Sequence, residues 1–543
     1  MSTRTSGTVR QRRWWALGGV TLAVLAVSMD VTILSIALPT LAGALSASAS
    51  DLQWFSAGYA LVLAALMLPA GWLGDRLGRK RVLLASLLVF AAGSAACAYA
   101  GSAAWFIAAR AVLGVGGAGV IVMAVSALTV LFDDEERPRA VAVWGAANLV
   151  AFPVGPILGG WLLSHAWWGS VFLINVPVAM LGLAAVAAWV PETTSGRPPR
   201  LDGLGLISSS AGLAAVTWGF IQAGQDGWSS RPAWGLLVGG VLVLVGFAAW
   251  ERRLSRRGGQ PLVDPALFTS ALFGWGVTLF AVLTLALIGL IFALPQYFQA
   301  VLGVDPEGSG LRLLPLVGGL LIGLAASRAL AVRLGIKLTV GCGFVVLAAG
   351  LALGATTTPA SGTGFAVLWT AISGVGTGMV MATVASAALA EITPDRAGVG
   401  SAVLQAVKGV GAPLGAAVLG SVLAAGYRGR LDLTALPEAA ADAVRTNVFA
   451  GLRVARQLRD PALADHVRAA FVHGVSSTLL VSVGIAVAGA LLALLFLPGR
   501  VVPTPAAADS GVPAADEAVA PAGAVAATGT VPATGTGAAG RPR

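Results

Sequence analysis

One carboxyl group stands inside a long apolar run: Asp30, in WWALGGVTLAVLAVSMDVTILSIAL, residues 14–38. As a helix rising 1.5 Å per residue, this run is long enough to cross a bilayer. A charge at that depth costs roughly 3 kcal/mol or more. Its presence points to a proton or ion site; the plainer alternative is a helix cap or a satisfied polar residue in a packed bundle. Arg110, in AAWFIAARAVLGVGGAG, is a second charge in an apolar run. Asp30 lies roughly 12 Å from one end of its span and Arg110 roughly 10 Å from the matching end of its own, by helical rise. The two are expected to meet in the outer half of a cavity. Burial favours the neutral acid, and a nearby guanidinium favours the carboxylate. A group so balanced can take up and release a proton as its surroundings change. The alternative for Arg110 is a structural residue bonding backbone carbonyls.

Other polar and aromatic residues fall in or near apolar runs. Tyr59, Phe152, Gln296, Gln405 and Lys408 are candidates for the lining of a substrate cavity. Lys408 sits deep enough to pair with Glu391, though so long a side chain also reaches either surface. Gln222, Tyr297, Asn148 and Asn175 are read first as interhelical hydrogen-bond formers. Trp54 and Phe172 are further aromatic candidates for an apolar pocket.

These residues need a membrane framework. The chain has 543 residues, 57% hydrophobic and 11% charged, against about 25% charged in soluble domains. The runs are continuously apolar, which excludes the alternating pattern of a membrane β-barrel. Glycine contributes 71 residues, as suits closely packed membrane helices. The net charge of +10 is spread in short clusters between spans and forms no nucleic-acid footprint. None of the three lysines follows a glycine, so no Walker A sequence exists for ATP. Two isolated cysteines and three scattered histidines offer no metal spacing. The first apolar run is too long for a cleavable signal peptide. No catalytic constellation appears, and a transporter is expected, not an enzyme.

Fourteen spans are expected, near 14–38, 52–73, 82–101, 103–130, 140–163, 169–190, 204–223, 233–250, 271–294, 310–329, 338–357, 363–389, 398–425 and 474–497. Arginine and lysine gather in the loops on one side, from Arg10–Arg13 and Arg76–Arg81 to Arg333, Lys337 and Arg500. That side is therefore cytoplasmic, with both termini on it. The long connection 427–472 is external, with amphipathic helical stretches such as Ala439–Leu458, and the Ala/Gly/Pro/Thr-rich stretch from Pro503 reads as disordered.

A repeat is also visible. DRLGRKR (75–81) matches VRLGIKL (332–338), and Pro156 in GPILGG matches Pro413 in GAPLGA; both pairs are 257 residues apart. This divides the chain into a cytoplasmic segment 1–13, a six-helix half 14–190, two inserted helices and linkers 191–270, a second six-helix half 271–497, and a tail 498–543. Repeat-built transporters hold substrate between their halves.

Four stretches resemble the major facilitator superfamily, and within it the fourteen-span drug:proton antiporters (the EmrB/QacA type). They are MDVTILSIALP (29–39), GWLGDRLGRKR (71–81), RAVLGVGGAG (110–119) and GPILGG (155–160), the last followed by WGSVFLINVP (168–177). The resemblance implies the major facilitator fold: an all-α polytopic protein with two pseudo-symmetric halves and two inserted central helices. It implies proton coupling through Asp30 and Arg110, and a cytoplasmic gate at Asp75, Arg76, Gly78 and Arg79. It also implies a leak-limiting seam at Gly155, Pro156, Gly159 and Gly160. The expected activity is proton-coupled export of lipophilic neutral or monocationic drugs or antibiotics across the plasma membrane. The alternative is dedicated export of one metabolite, such as an amino acid, a siderophore or a biosynthetic product. The expected partners are substrate, protons and lipid, with no cofactor beyond the proton gradient, no metal, no nucleic acid, and function as a monomer. A proton-coupled importer and a non-transporting sensor are the remaining readings; the GPILGG stretch opposes the first, and the second leaves Asp30 and Arg110 idle.

Overall fold

Inside a membrane, apolar runs of about 20 residues satisfy their backbone groups by coiling into helices. The computed structural model describes residues 3–132, 136–193, 202–259, 261–262, 268, 270–390, 397–434 and 436–498. The side chains of 3–12, 68, 129–130, 137–139, 141–142, 144–150, 152–153, 225, 389–390 and 397–410 are not among those described. No strand occurs among the described residues.

The first half comprises α1 (Thr3–Ala44), α2 (Ala49–Leu77), α3 (Arg79–Ala98), α4 (Ala103–Leu131), α5 (Arg137–His165) and the pair α6 (Ser170–Leu173) and α7 (Asn175–Trp189). Next come α8 (Gly203–Asp226) and α9 (Arg231–Arg256). The second half comprises α10 (Ala271–Ala300), the short α11 (Pro306–Leu311), α12 (Leu314–Leu334), α13 (Ile336–Ala355), α14 (Thr363–Ala390) and α15 (Ala397–Gly429), then α16 (Glu438–Thr446), α17 (Val448–Leu458) and α18 (Pro461–Phe496).

The halves pack alike. In the first, α4 lies against α2 and α3 while α1 lies against α5 and α7; in the second, α14 lies against α12 and α13 while α10 lies against α15 and α18. The repeat seen in the sequence is therefore a repeat of architecture. It extends to the turns: Gly78 joins α2 to α3 at φ +109°, and Gly335 joins α12 to α13 at φ +84°. These two glycines keep the 257-residue spacing, and each backbone N–H closes back onto the carbonyl four residues earlier, Gly74 and Ala331. A φ this positive is open to glycine and strained for other residues.

Among the described residues eleven helical segments are long and apolar enough to cross a membrane, and a twelfth follows if α2, bent by 46° between Met67 and Pro69, counts as one span. Long helices α5 and α15 occupy the other two expected positions. The inserted helices α8 and α9 pair with each other, and α8 also packs on α2 of one half and α15 of the other.

The structure changes four boundaries. The first helix begins at Thr3, eleven residues before the apolar run that starts at Trp14. The sixth expected span breaks at Ile174 into α6 and α7. The amphipathic stretch expected near 439–458 is divided into two helices. Asn447 takes extended backbone and its side chain accepts from the Ala450 N–H, so it ends α16 and caps α17. The last helix starts at Pro461, not near 474, capped by Asp460, so the connection expected over 427–472 is shorter and largely helical. The tail beyond 498 lies outside the described residues.

Candidate functional site

Asp30 and Arg110 meet, and they do so inside the first half. Arg110 Nη1 donates to Asp30 Oδ2, while Arg110 Nε donates to the Phe55 carbonyl at 3.1 Å. The Arg110 guanidinium lies over the ring of Tyr59, 4.3 Å from its centroid, a favourable cation–π geometry. Asn175 Nδ2 donates to Asp30 Oδ1 at 3.2 Å and to Ser94 Oγ at 3.3 Å. Ser94 in turn donates to the Phe172 carbonyl at 2.8 Å. Five elements, α1, α2, α3, α4 and α7, thus converge on one carboxylate. Asp30 is 0% exposed and Arg110 1% exposed, so the pair is sealed from both water and lipid.

This burial differs from the sequence expectation in one respect. The pair was expected in the outer half of an inter-half cavity; it lies in the core of the first half. The void between the halves is reached from the other face of α1. Thr32 and Ser35 line it together with Pro156 of α5 and Leu287, Ile291, Leu313, Leu316, Val317 and Leu320 of α10–α12. Two residues along a helix are rotated by about 200°, so Asp30 and Thr32 look in opposite directions.

Helix α5 makes the junction. Its glycines face two ways. A Cβ on Gly155 would strike the Thr32 side chain and lie 3.3 Å from the Met29 carbonyl; one on Gly159 would lie 3.2 Å from Ile33. Both positions face α1. A Cβ on Gly160 would lie 2.6 Å from the Pro306 carbonyl, and one on Gly310 would strike the Pro156 carbonyl. Gly160 of α5 and Gly310 of α11 thus face each other across the two halves. The stretch GPILGG is therefore a wedge between α1 and the opposing half. Nearby contacts tie the halves at the same end: Gln299 Nε2 donates to the Ile36 carbonyl at 3.1 Å, and Asn447 Nδ2 to the Ala47 carbonyl at 2.6 Å.

The basic loop lies at the opposite end of the helices. Asp75 accepts from Arg79 at 2.9 Å across one helical turn, and Arg76 lies 5.2 Å from the ring centroid of Trp72. The segment after α7 straps this loop down. The Arg79 N–H donates to the Thr193 carbonyl at 3.0 Å, the Lys80 N–H to Glu192 Oε1 at 3.2 Å, and Lys80 Nζ to the Ala187 carbonyl at 2.7 Å. Arg81 lies 3.6 Å from Glu192. A Cβ on Gly78 would run into the Glu192 carboxylate, a second reason for glycine there.

The remaining candidates divide. Tyr59, expected in the substrate cavity, is buried against Arg110, its ring engaged by the guanidinium. Phe172, another pocket candidate, packs edge-on to Phe106 at 5.2 Å within the first-half core. Gln296 lines a smaller void at the end away from the basic loop, with Gln53, Tyr427 and Asn447, and bonds the Phe292 carbonyl. The side chains of Phe152, Gln405 and Lys408 lie outside the described residues, as does Glu391. Sequence reasoning missed Ser94 and Glu192 as site residues and placed Asn175 only among general polar candidates. Asn175 is the polar interruption of WGSVFLINVP, and Glu192 is the acid directly after a span that ends beside a basic loop.

The family model for the Major Facilitator Superfamily matches residues 20–416. The chain is 34% identical over 493 residues to the "Multidrug efflux pump LfrA" of Mycolicibacterium smegmatis, covering 88% of this chain and 95% of that protein. It is 33% identical over 417 residues to the "Tetracenomycin C resistance and export protein" of Streptomyces glaucescens, covering 77% of each. Among solved structures, a bacterial homologue of the human lysosomal transporter Spinster, in an inward-facing and unoccupied conformation, superposes with a TM-score of 0.62. It has 16% sequence identity over 91% of this chain and 99% of that one, a likeness of fold.

Proposed function

The chain belongs to the major facilitator superfamily, and we propose that it exports lipophilic drugs or antibiotics in exchange for protons, with Asp30 as the proton carrier. The observation that carries the reading is the sealed Asp30–Arg110 pair beside a glycine-built junction to an apolar void. The void has two hydroxyls, on Thr32 and Ser35, among leucine, isoleucine, valine and proline side chains. Such a lining suits cargo bound mainly by apolar area, neutral or singly charged, and suits an amino acid or siderophore poorly. The names of the relatives, a multidrug pump and an antibiotic export protein, support the same class of cargo.

The coupling follows from the chemistry of the pair. While Asp30 is ionised, Arg110 has its counter-ion. A proton from water on the external side forms an O–H bond on Asp30 and cancels that counter-charge. Arg110 is then an unpaired cation in a closed core, which costs on the order of 3–5 kcal/mol. Moving a two-state equilibrium from 1:99 to 99:1 takes about 5.5 kcal/mol, so losing the pair supplies much of the drive between states. The wedge of Gly155, Gly159 and Gly160 transmits the change, since α1 carries Asp30 on one face and Thr32 on the other. The proton leaves to water on the cytoplasmic side after the halves re-close, and Asp30 regains Arg110. A membrane potential of 100 mV adds about 2.3 kcal/mol per charge moved.

In this reading the molecule sits in the plasma membrane with fourteen spans, works as a monomer, and needs no cofactor beyond the proton gradient. The end bearing Arg76–Arg81 and both termini face the cytoplasm, by the positive-inside rule. The halves 14–190 and 271–497 rock about the void, with 191–270 as the inserted helices. The Asn447 and Gln299 bonds close the external side in the state described. The test is a proteoliposome assay with an internal pH dye over a panel of lipophilic neutral, monocationic and amino-acid compounds. Export-linked proton uptake is expected with the first two groups and none with Asp30→Asn. Proton movement retained in Asp30→Asn removes the proposal.

A further inference from the structure

We infer that Asn175 reads the protonation state of Asp30 by turning its side-chain amide, and passes that state through Ser94 to the Phe172 carbonyl at the α6–α7 break. The inference rests on Asp30 being the proton carrier and adds how the protein registers the proton.

Both oxygens of Asp30 face donors: Arg110 Nη1 at Oδ2 and Asn175 Nδ2 at Oδ1. This arrangement is satisfied only by a carboxylate, which accepts and does not donate. Once Asp30 binds a proton, its O–H needs an acceptor in a core closed to solvent. A guanidinium has none to offer. The amide of Asn175 has one, because a half-turn exchanges its NH2 for its carbonyl oxygen. The turned oxygen accepts from the Asp30 O–H. It also takes the place of the nitrogen that donated to Ser94 Oγ. The Ser94 hydroxyl then turns to donate to Asn175 and releases the Phe172 carbonyl it holds now.

The carbonyl at the end of this chain is well placed to matter. Phe172 lies in the four-residue α6, and its carbonyl also accepts from the Ile174 N–H where the helix breaks before Asn175. Removing the Ser94 bond leaves the break with one bond fewer. Asn175 is also the first residue of α7, so its turn and the break share one stretch of backbone. The charged side chain acting on Asp30 is Arg110 of α4, and Tyr59 of α2 and Cys97 of α3 are the titratable groups that feel its charge. Tyr59 Oη has no hydrogen-bond partner and its ring is engaged by Arg110. Asn175 is the neutral group that contacts the carboxylate directly and can both donate and accept.

The experiment is an infrared pH titration of the purified full-length chain in lipid, which needs no knowledge of the cargo. Asp30→Asn assigns the band of the protonated carboxyl. Asn175→Leu is expected to move that band, since the protonated acid loses its acceptor, and to shift its titration midpoint in the alkaline direction by less than about one pH unit, since the charge-assisted bond lost to the carboxylate outweighs the acceptor lost to the acid. Ser94→Ala is expected to move the band while shifting the midpoint less. Asn175→Ser, which keeps a group that can donate or accept, is expected to restore the midpoint partly and serves if the leucine variant does not fold. An unchanged band and midpoint in both Asn175 variants overturn the relay while leaving Asp30 as carrier. The absence of any Asp30 band in the unsubstituted protein overturns the carrier and the relay together.

Discussion

Gly155 of α5 lies directly against Thr32 of α1, with no space for a Cβ between them. The contact is two residues along α1 from the carboxylate and on the face that lines the void. Enlarging residue 155 therefore presses on the helix that joins the proposed proton site to the cargo space. Gly155→Val is expected to destabilise by about 1–3 kcal/mol, as overpacking does, and to lower the export rate by more than the loss of folded protein explains. Thermal unfolding and dye export measured on the same preparation separate the two effects.

The ion pair makes a prediction in stability that is independent of transport. Asp30→Asn leaves Arg110 buried without a counter-ion and is expected to cost about 3–5 kcal/mol. The double variant Asp30→Asn with Arg110→Leu removes the stranded charge and is expected to recover much of that stability while remaining inactive. Denaturation of the single and double variants checks this; equal destabilisation in both contradicts an unpaired cation as the cause.

Tyr59 contributes its ring and not its hydroxyl. The hydroxyl is buried without a partner, whereas the ring lies 4.3 Å from the guanidinium. Tyr59→Phe is expected to be neutral or slightly stabilising. Tyr59→Leu is expected to lose the cation–π contribution, about 0.5–2 kcal/mol. Export and unfolding of the two variants, compared side by side, decide it.

At the basic end, Glu192 accepts from the Lys80 backbone N–H and pairs with Arg81, both in the first turn of α3. Glu192→Gln keeps the hydrogen bond to Lys80 and removes the charge opposite Arg81. A modest loss of export is expected, one that narrows as salt is raised because exposed pairs are screened. Gly78→Ala meets both the positive φ and the Glu192 carboxylate, and is expected to impair export more severely at any ionic strength. Export measured across a salt series distinguishes the two.

The sequence made the helices, the repeat and the pairing of Asp30 with Arg110 legible, because each rests on a periodic or local quantity. Apolar run length sets spans, a shared offset sets the repeat, and helical rise sets depth. Depth alone does not give the direction in which a side chain points. Asp30 could thus be set level with Arg110 but not assigned to the core of one half over the space between halves. The same gap separated Tyr59 from its guanidinium. Asn447 was hidden for another reason: a mean amphipathic pattern continues across it, and only the capping of Ala450 breaks the helix. Glu192 was passed over because a single exposed acid after a span has no pattern of its own.

The turn after α2 and its counterpart after α12 share a glycine, but not an ion pair. Where the first turn sets Asp75 against Arg79, the second has Val332 and Ile336. A duplicated unit has here preserved its bend twice and its electrostatic clasp once. Ionic strength therefore acts unequally on the two lobes, loosening the hinge of the first and sparing that of the second, which has no carboxylate to screen at the matching position.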